Sequence, residues 1–225
     1  MRALSIWLMI LIGAPALADR QSFPPVDQAD TDPSLIAFRD DLLAKVAARD
    51  TDAVVAAACP DIHVSHSAET GPEAFRSNLT QTSENPPDDS GDQADTLRDA
   101  YWAALQDTLA SPGYFDDQGE FWMPHQWRIT LPARLDPALA YFVTGTNVSL
   151  RQAPSQEAAV LAPISHEVVL VPDYRDTQDY QPVRLTDGTS GYMHRDFLWS
   201  MVGYRAALVK SDAGDWQICT FVSGD

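Results

Sequence analysis

Residues 144–198 read TGTNVSLRQAPSQEAAVLAPISHEVVLVPDYRDTQDYQPVRLTDGTSGYMHRDFL, and this stretch decides the fold. Its apolar residues come in short runs, at 148–151, 160–162, 168–172, 181–185 and 191–193, each closed by turn-forming residues. Short runs at this density predict strands of a small all-β body. Asp187-Gly188, between the last two runs, is a hairpin signal, because glycine accepts the left-handed backbone of a tight turn.

Upstream the spacing is helical. Asp32 and Pro33 supply an N-cap and a first-turn proline, and Leu35, Phe38, Leu42 and Val46 follow on one stripe. A second short helix is expected over residues 51–58, stopping at Cys59-Pro60, with Ile62-His63-Val64 as a short strand. Gly71-Pro72 opens a further helical turn carrying Phe75 and Leu79. Asp95 caps a helix with Leu97, Tyr101, Leu105 and Leu109 on one side, ended by Ser111-Pro112-Gly113. Residues 81–95 are acidic and turn-rich and predict an exposed loop. Residues 114–131 hold Tyr114, Phe115, Phe121, Trp122 and Trp127 with no clean period. Residues 19–32, with Pro24-Pro25, read as a flexible leader. Downstream, residues 201–225 read as a hairpin turning at 212–215, and Trp199 and Trp216 are expected to seal the junction between the β body and this tail. There is no internal repeat and no coiled-coil heptad.

The first 18 residues carry one basic residue, Arg2, an apolar run over residues 3–12, and Ala16-Leu17-Ala18. That order matches a cleavable signal peptide. The run is too short for a membrane span of about 20 residues, so no stable membrane insertion is expected after cleavage, and the mature chain is expected to be periplasmic or secreted. The net charge is −17. Phosphate backbones and anionic membranes repel such a chain, so nucleic acid is excluded as a partner. Cys59 and Cys219 are the two cysteines. In an oxidising compartment they predict one disulfide tying the N-terminal region to the tail; two buried thiols are the alternative.

The 141–200 stretch resembles the bacterial SH3 domain. Asn147-Val148-Ser149-Leu150-Arg151 followed by Ala153-Pro154-Ser155 matches that family's opening strand and turn. Val183-Arg184-Leu185, Asp187-Gly188 and Gly191-Tyr192-Met193-His194 match its closing hairpin, and Phe197-Leu198 its ending. Two positions depart from the family: the aromatic before the penultimate strand is Tyr180, one place early, and His166 stands where glycine is usual. As a whole the chain resembles uncharacterised exported proteins with a C-terminal SH3-like domain. The N-terminal order of helices and strand is also similar to the NTF2-like cone fold, whose sheet the tail hairpin would complete around an inserted SH3-like body. The expected class is therefore α+β: a mostly helical mixed region over 33–140, an SH3-like barrel over 141–200 and a C-terminal β-hairpin over 201–225 packing on the rest.

The resemblance implies a binding role, with Tyr174, Tyr180, Tyr192 and Phe197 placed to show aromatic faces to a cell-envelope peptide, peptidoglycan or protein partner. No cofactor is expected. For catalysis, Cys59 before Pro60 at a helix end is poorly placed to form a thiolate. His63, His66 and Glu69 could serve a metal-dependent envelope hydrolase, with His125, His166 or His194 as the third ligand. On a strand His63 and His66 would point to opposite faces, so they converge only if the chain turns. The acidic segment around Asp88-Asp89 lacks the ligand spacing of a calcium loop.

Overall fold

The computed structural model describes residues 20–66, 70–80 and 91–224. The signal-peptide segment 1–18, residues 81–90 of the acidic segment, and Glu69 lie outside the described residues. Asp32 caps α1 (Pro33–Ala47) as its residue type predicts, accepting from the N–H groups of Ser34 at 2.9 Å and Leu35 at 3.3 Å. The stripe buries Leu35, Leu42 and Val46 completely and Phe38 in part. Asp50 caps α2 (Thr51–Ala56), which buries Val54 and Val55. The chain passes directly into β1 (Ala58–His63), so the strand begins where the sequence suggested a helix end. The reason is tertiary: Ala58 aligns with Ile218 and His63 with Thr220 on a partner strand far along the chain. Then come α3 (Pro72–Thr80), burying Phe75 and Leu79, and α4 (Gly91–Ala110), burying Tyr101, Trp102, Leu105 and Leu109 while Leu97 stays exposed. The helix starts four residues before the expected Asp95 cap, so residues 91–95 are helical and not loop, and Asp95 pairs with Arg98 one turn on.

Residues 114–131 resolve into β2 (Tyr114–Phe115), β3 (Phe121–Met123) and a 3-10 turn over His125–Arg128. The next strands, from residue 140 onwards, are β4 (Ala140–Val143), β5 (Val148–Arg151), β6 (Val160–Ile164), β7 (Val168–Leu170), β8 (Tyr180–Leu185), β9 (Ser190–His194) and β10 (Leu198–Ser200). The tail forms the hairpin β11 (Arg205–Lys210) and β12 (Trp216–Val222).

Two sheets result, so the α+β class is observed. The first, in order β1-β12-β11-β3-β2, is antiparallel except for the β1–β12 pair. Helices α1 and α4 pack on it through a shared core with Ile62, Leu208, Ile218 and Phe221. Trp216 belongs to this core, its indole N–H donating to Ser34 Oγ at 3.0 Å. It joins the sheet to α1 instead of sealing the junction to the β body as expected, because its strand is internal to the sheet. Cys59 on β1 and Cys219 on β12 are disulfide-bonded across this parallel pair, with Cα atoms 4.9 Å apart, inside the usual range.

The second sheet, in order β10-β4-β7-β8-β9-β5-β6, is antiparallel throughout. Val143, Leu150, Ile164, Val169, Val183 and Met193 come from strands at distant places in that order yet share one apolar cluster. The sheet must therefore curl about its own core. It does not close into a barrel: β10 and β6 remain edges among the described residues.

Residues 20–31, nearly all of the expected flexible leader, touch both bodies. Arg20 binds the Glu167 carboxylate through two nitrogens at 2.8 and 2.7 Å, and the Phe23 N–H donates to the His166 carbonyl at 2.7 Å. Farther on, the Gln28 N–H donates to the Gly113 carbonyl at 2.9 Å, and the Phe115 N–H donates to Gln28 Oε1 at 2.7 Å. A third apolar cluster, centred on Phe142, Val168 and Met201, takes in Phe23 and Trp199 at this seam. Among the described residues no helix is long and apolar enough to cross a membrane.

Candidate functional site

Strand alternation sorts the side chains of β8 and β9. Gln181, Val183, Leu185 and Met193 are buried, so Tyr180, Pro182 and Arg184 on β8 and Ser190, Tyr192 and His194 on β9 face outward. Across the pair Tyr180 stands opposite His194, Pro182 opposite Tyr192, and Arg184 opposite Ser190. Strand β5 extends the same face, with Arg151 opposite Tyr192. Gly191 allows the close fit between the two strands, because a Cβ there would lie 2.7 Å from the Arg151 carbonyl oxygen.

The face carries two adjoining grooves. One, of about 410 Å³, is walled by Tyr180, His194 and Phe197, with Ser149, Arg151 and Asn147 alongside. The other, of about 350 Å³, is formed by Tyr192, Pro182, Arg184 and Pro172. They meet at the Arg151–Tyr192 pair. The rings contact one another edge-on: Tyr180 to His194 at 5.2 Å, and His194 to Phe197 at 6.4 Å. Phe197 is 41% exposed, enough to offer a ring face to a ligand. Tyr174 lies apart, its ring stacked on Tyr141 with centroids 5.4 Å apart. Three of the four aromatics singled out in the sequence thus share one face, and the fourth does not.

Two arginines on this face have no carboxylate partner among the described residues, although Asp196 also lines the first groove. Most cations of this acidic chain are matched to carboxylates: Arg39 to Asp27, Arg49 to Asp99, Arg76 to Asp52, Arg195 to Asp179, Lys210 to Asp32. Arg151 and Arg184 make no ion pair among the described residues. Arg151 is oriented by a hydrogen bond from Nη1 to the Ala158 carbonyl at 2.9 Å. The nearby Glu157 carboxyl is held below the usual range mainly by the Ser155 hydroxyl and by Glu157's own backbone N–H, with a smaller contribution from Arg151. Neither arginine was singled out from sequence. The period-two spacing Tyr180-Pro182-Arg184 was the signal that could have found one of them.

Of the residues considered for catalysis, His63 ends β1 and bridges to Thr70, and Glu69 lies outside the described residues. His66 Nε2 lies 3.1 Å from the Ser223 carbonyl, His166 Nε2 lies 3.0 Å from Thr146 Oγ1, and His194 sits in the groove. His125 is buried at the seam, its Nε2 3.4 Å from the Phe23 carbonyl. No three His, Cys, Asp or Glu side chains among the described residues are grouped to hold a metal ion. Cys59, being disulfide-bonded, has no thiolate to attack a substrate. No protein-family model matches the chain, and no curated protein or solved structure matches it.

Proposed function

We propose that the chain is an exported, non-catalytic binding protein whose 141–200 body is an SH3-like module holding a cell-envelope ligand on the outward face of β5, β8 and β9. The observation that carries this reading is the row of Tyr180, Tyr192 and Phe197 interleaved with the unpaired guanidinium groups of Arg151 and Arg184. Aromatic faces accept sugars, methyl groups and peptide planes, while an unpaired arginine on an acidic protein favours a ligand bearing carboxylates. A peptidoglycan stem peptide has that chemistry. The SH3-like reading draws support from His166, which stands where the family has glycine and has φ +53, the left-handed conformation glycine adopts without cost. The disulfide fits an oxidising compartment, in keeping with export.

The test is co-sedimentation with purified peptidoglycan, with titration of its soluble stem-peptide fragments. Binding is expected, and R151A combined with R184A should weaken it by roughly tenfold or more, since hydrogen bonds between charged groups are the strong ones. Failure of the wild-type protein to bind peptidoglycan and its fragments would defeat the peptidoglycan reading; binding unchanged in the double variant would move the site elsewhere.

A second reading concerns the other body. We propose that the helix–sheet body is an NTF2-like scaffold carrying the 141–200 body as an insert. It is favoured by the way β11 and β12, which follow the insert, take places in the sheet beside β1 and β3, which precede it.

A further inference from the structure

We propose that the seam between the two bodies is a second binding site, for a small monocarboxylate with an apolar tail, of the medium-chain fatty-acid class. Three separate stretches build it: the leader, residues 129–135, and the β7 side of the seven-stranded sheet. They leave a cavity of about 250 Å³ walled by Phe23, Ile129, Leu131, Leu135 and Val168. Val168 is buried, but Phe23, Ile129, Leu131 and Leu135 are only partly covered by the third apolar cluster, so their remaining surface faces the cavity. An apolar tail would complete that cluster.

The polar groups around the cavity are Gln21, Thr130, Thr186 and Arg134, with no carboxylate among the lining residues, in a chain with 32 Asp and Glu. Arg134 is exposed and makes no ion pair or hydrogen bond among the described residues. The acids next in sequence to the lining residues have partners elsewhere: Asp136 Oδ1 accepts from the Ala138 N–H at 3.0 Å, Asp187 Oδ1 from the Thr189 N–H at 2.8 Å, and Glu167 pairs with Arg20. A guanidinium beside an apolar hollow selects an anion with a greasy body, because it donates without accepting and matches a carboxylate through two parallel hydrogen bonds. The cavity is smaller than the usual range of about 300–1,000 Å³ for drug-sized ligands, so the tail must be short.

The test is calorimetric titration of the purified protein with octanoate and, in parallel, with octanol. Saturable one-site binding of octanoate is expected, tighter than octanol. R134Q should weaken octanoate by roughly tenfold, one lost charge-assisted contact, and remove its advantage over octanol. L135D, which puts a like charge into the hollow, should abolish binding, with circular dichroism reporting that the fold is retained. The R151A/R184A variant should bind octanoate as wild type does, which keeps this site separate from the outward face. Absence of saturable binding at millimolar octanoate, or equal binding by wild type and R134Q, would overturn the proposal.

Discussion

The five-stranded sheet is assembled from three separated stretches, residues 58–63, 114–123 and 205–222, whereas the seven-stranded sheet uses one continuous stretch, residues 140–200. The first and last strands of that stretch pair with each other, Val143 opposite Leu198 and Tyr141 opposite Ser200. Its two ends therefore leave side by side, which is the geometry that lets one body be inserted into another without parting the host's strands. The host has the opposite problem: β1 must find β12 across a long loop, and the entropy of closing it opposes folding. The disulfide sits at that pair. The difference teaches that the covalent link belongs to the body built from distant segments, while the body built from neighbours holds itself with hairpins.

The largest test of this contrast is C59S with C219S. The sequence separation of 160 predicts a loss of about 5 kcal/mol on the chain-entropy account. Guanidinium denaturation should show the helical signal of the first body lost at lower denaturant than the second body's transition. A shift under about 1 kcal/mol, with both bodies still melting together, would break the comparison.

Next is the strap between the bodies. R20A removes the partner of Glu167, a carboxylate that is only 9% exposed. Arg20 itself is partly open to solvent, which screens the pair, so the expected cost is about 2 kcal/mol. Limited proteolysis should then cut within residues 20–31, and a variant as resistant as wild type would show the strap to be held by its backbone bonds alone.

Acidification should loosen the same seam. Burial pushes the His125 imidazole below its ordinary value; the Phe23 carbonyl opposes this, His166 and Arg128 add to it, and Asp27 opposes it. Within the folded protein the neutral ring is favoured, so its contribution is fully present above the unfolded value of about 6.5 and is lost as pH falls from there through the folded value. Denaturation midpoints measured from about pH 7.5 down to about pH 5 should fall, and H125F, which cannot be protonated, should flatten that slope.

The smallest effect is expected from G188A in the β8–β9 turn. Gly188 has φ +91 and open space where a Cβ would go, so the cost is backbone strain alone, about 1 kcal/mol. It should fall on the seven-stranded body and leave the helical signal unmoved.

Features closed within a few residues were legible in the sequence. The Asp32 cap, the Leu35-Leu42-Val46 stripe, β5 over residues 148–151 and the Asp187-Gly188 turn all rest on near neighbours, and the structure has each of them. Strands β2 and β3 were hidden because two or three residues are too few to show a period. Strand β4 lies at the entrance to the insert and takes its partners from β7 and β10, well downstream. Of the aromatics, Tyr180 and Tyr192 lie on strands where alternation assigns a face, and Phe197 ends the short turn between β9 and β10. Tyr174 lies between β7 and β8, where no period operates, and its stacking on Tyr141 was invisible in advance.

From near neighbours alone the sequence determined the α+β class, the Asp32 cap, most strands of the 140–200 body and the existence of a single pair of cysteines. Tertiary structure alone decided that β1 begins at Ala58, that the tail strands lie between β1 and β3, and that Arg151 and Arg184 share a face with the aromatics, while the Cys59–Cys219 bond expected from the sequence is present. The physical reason is range. Caps, turns and alternation are fixed by contacts a few residues apart, whereas strand order and ion pairing are settled only when distant segments compete for the same partners in the folded chain.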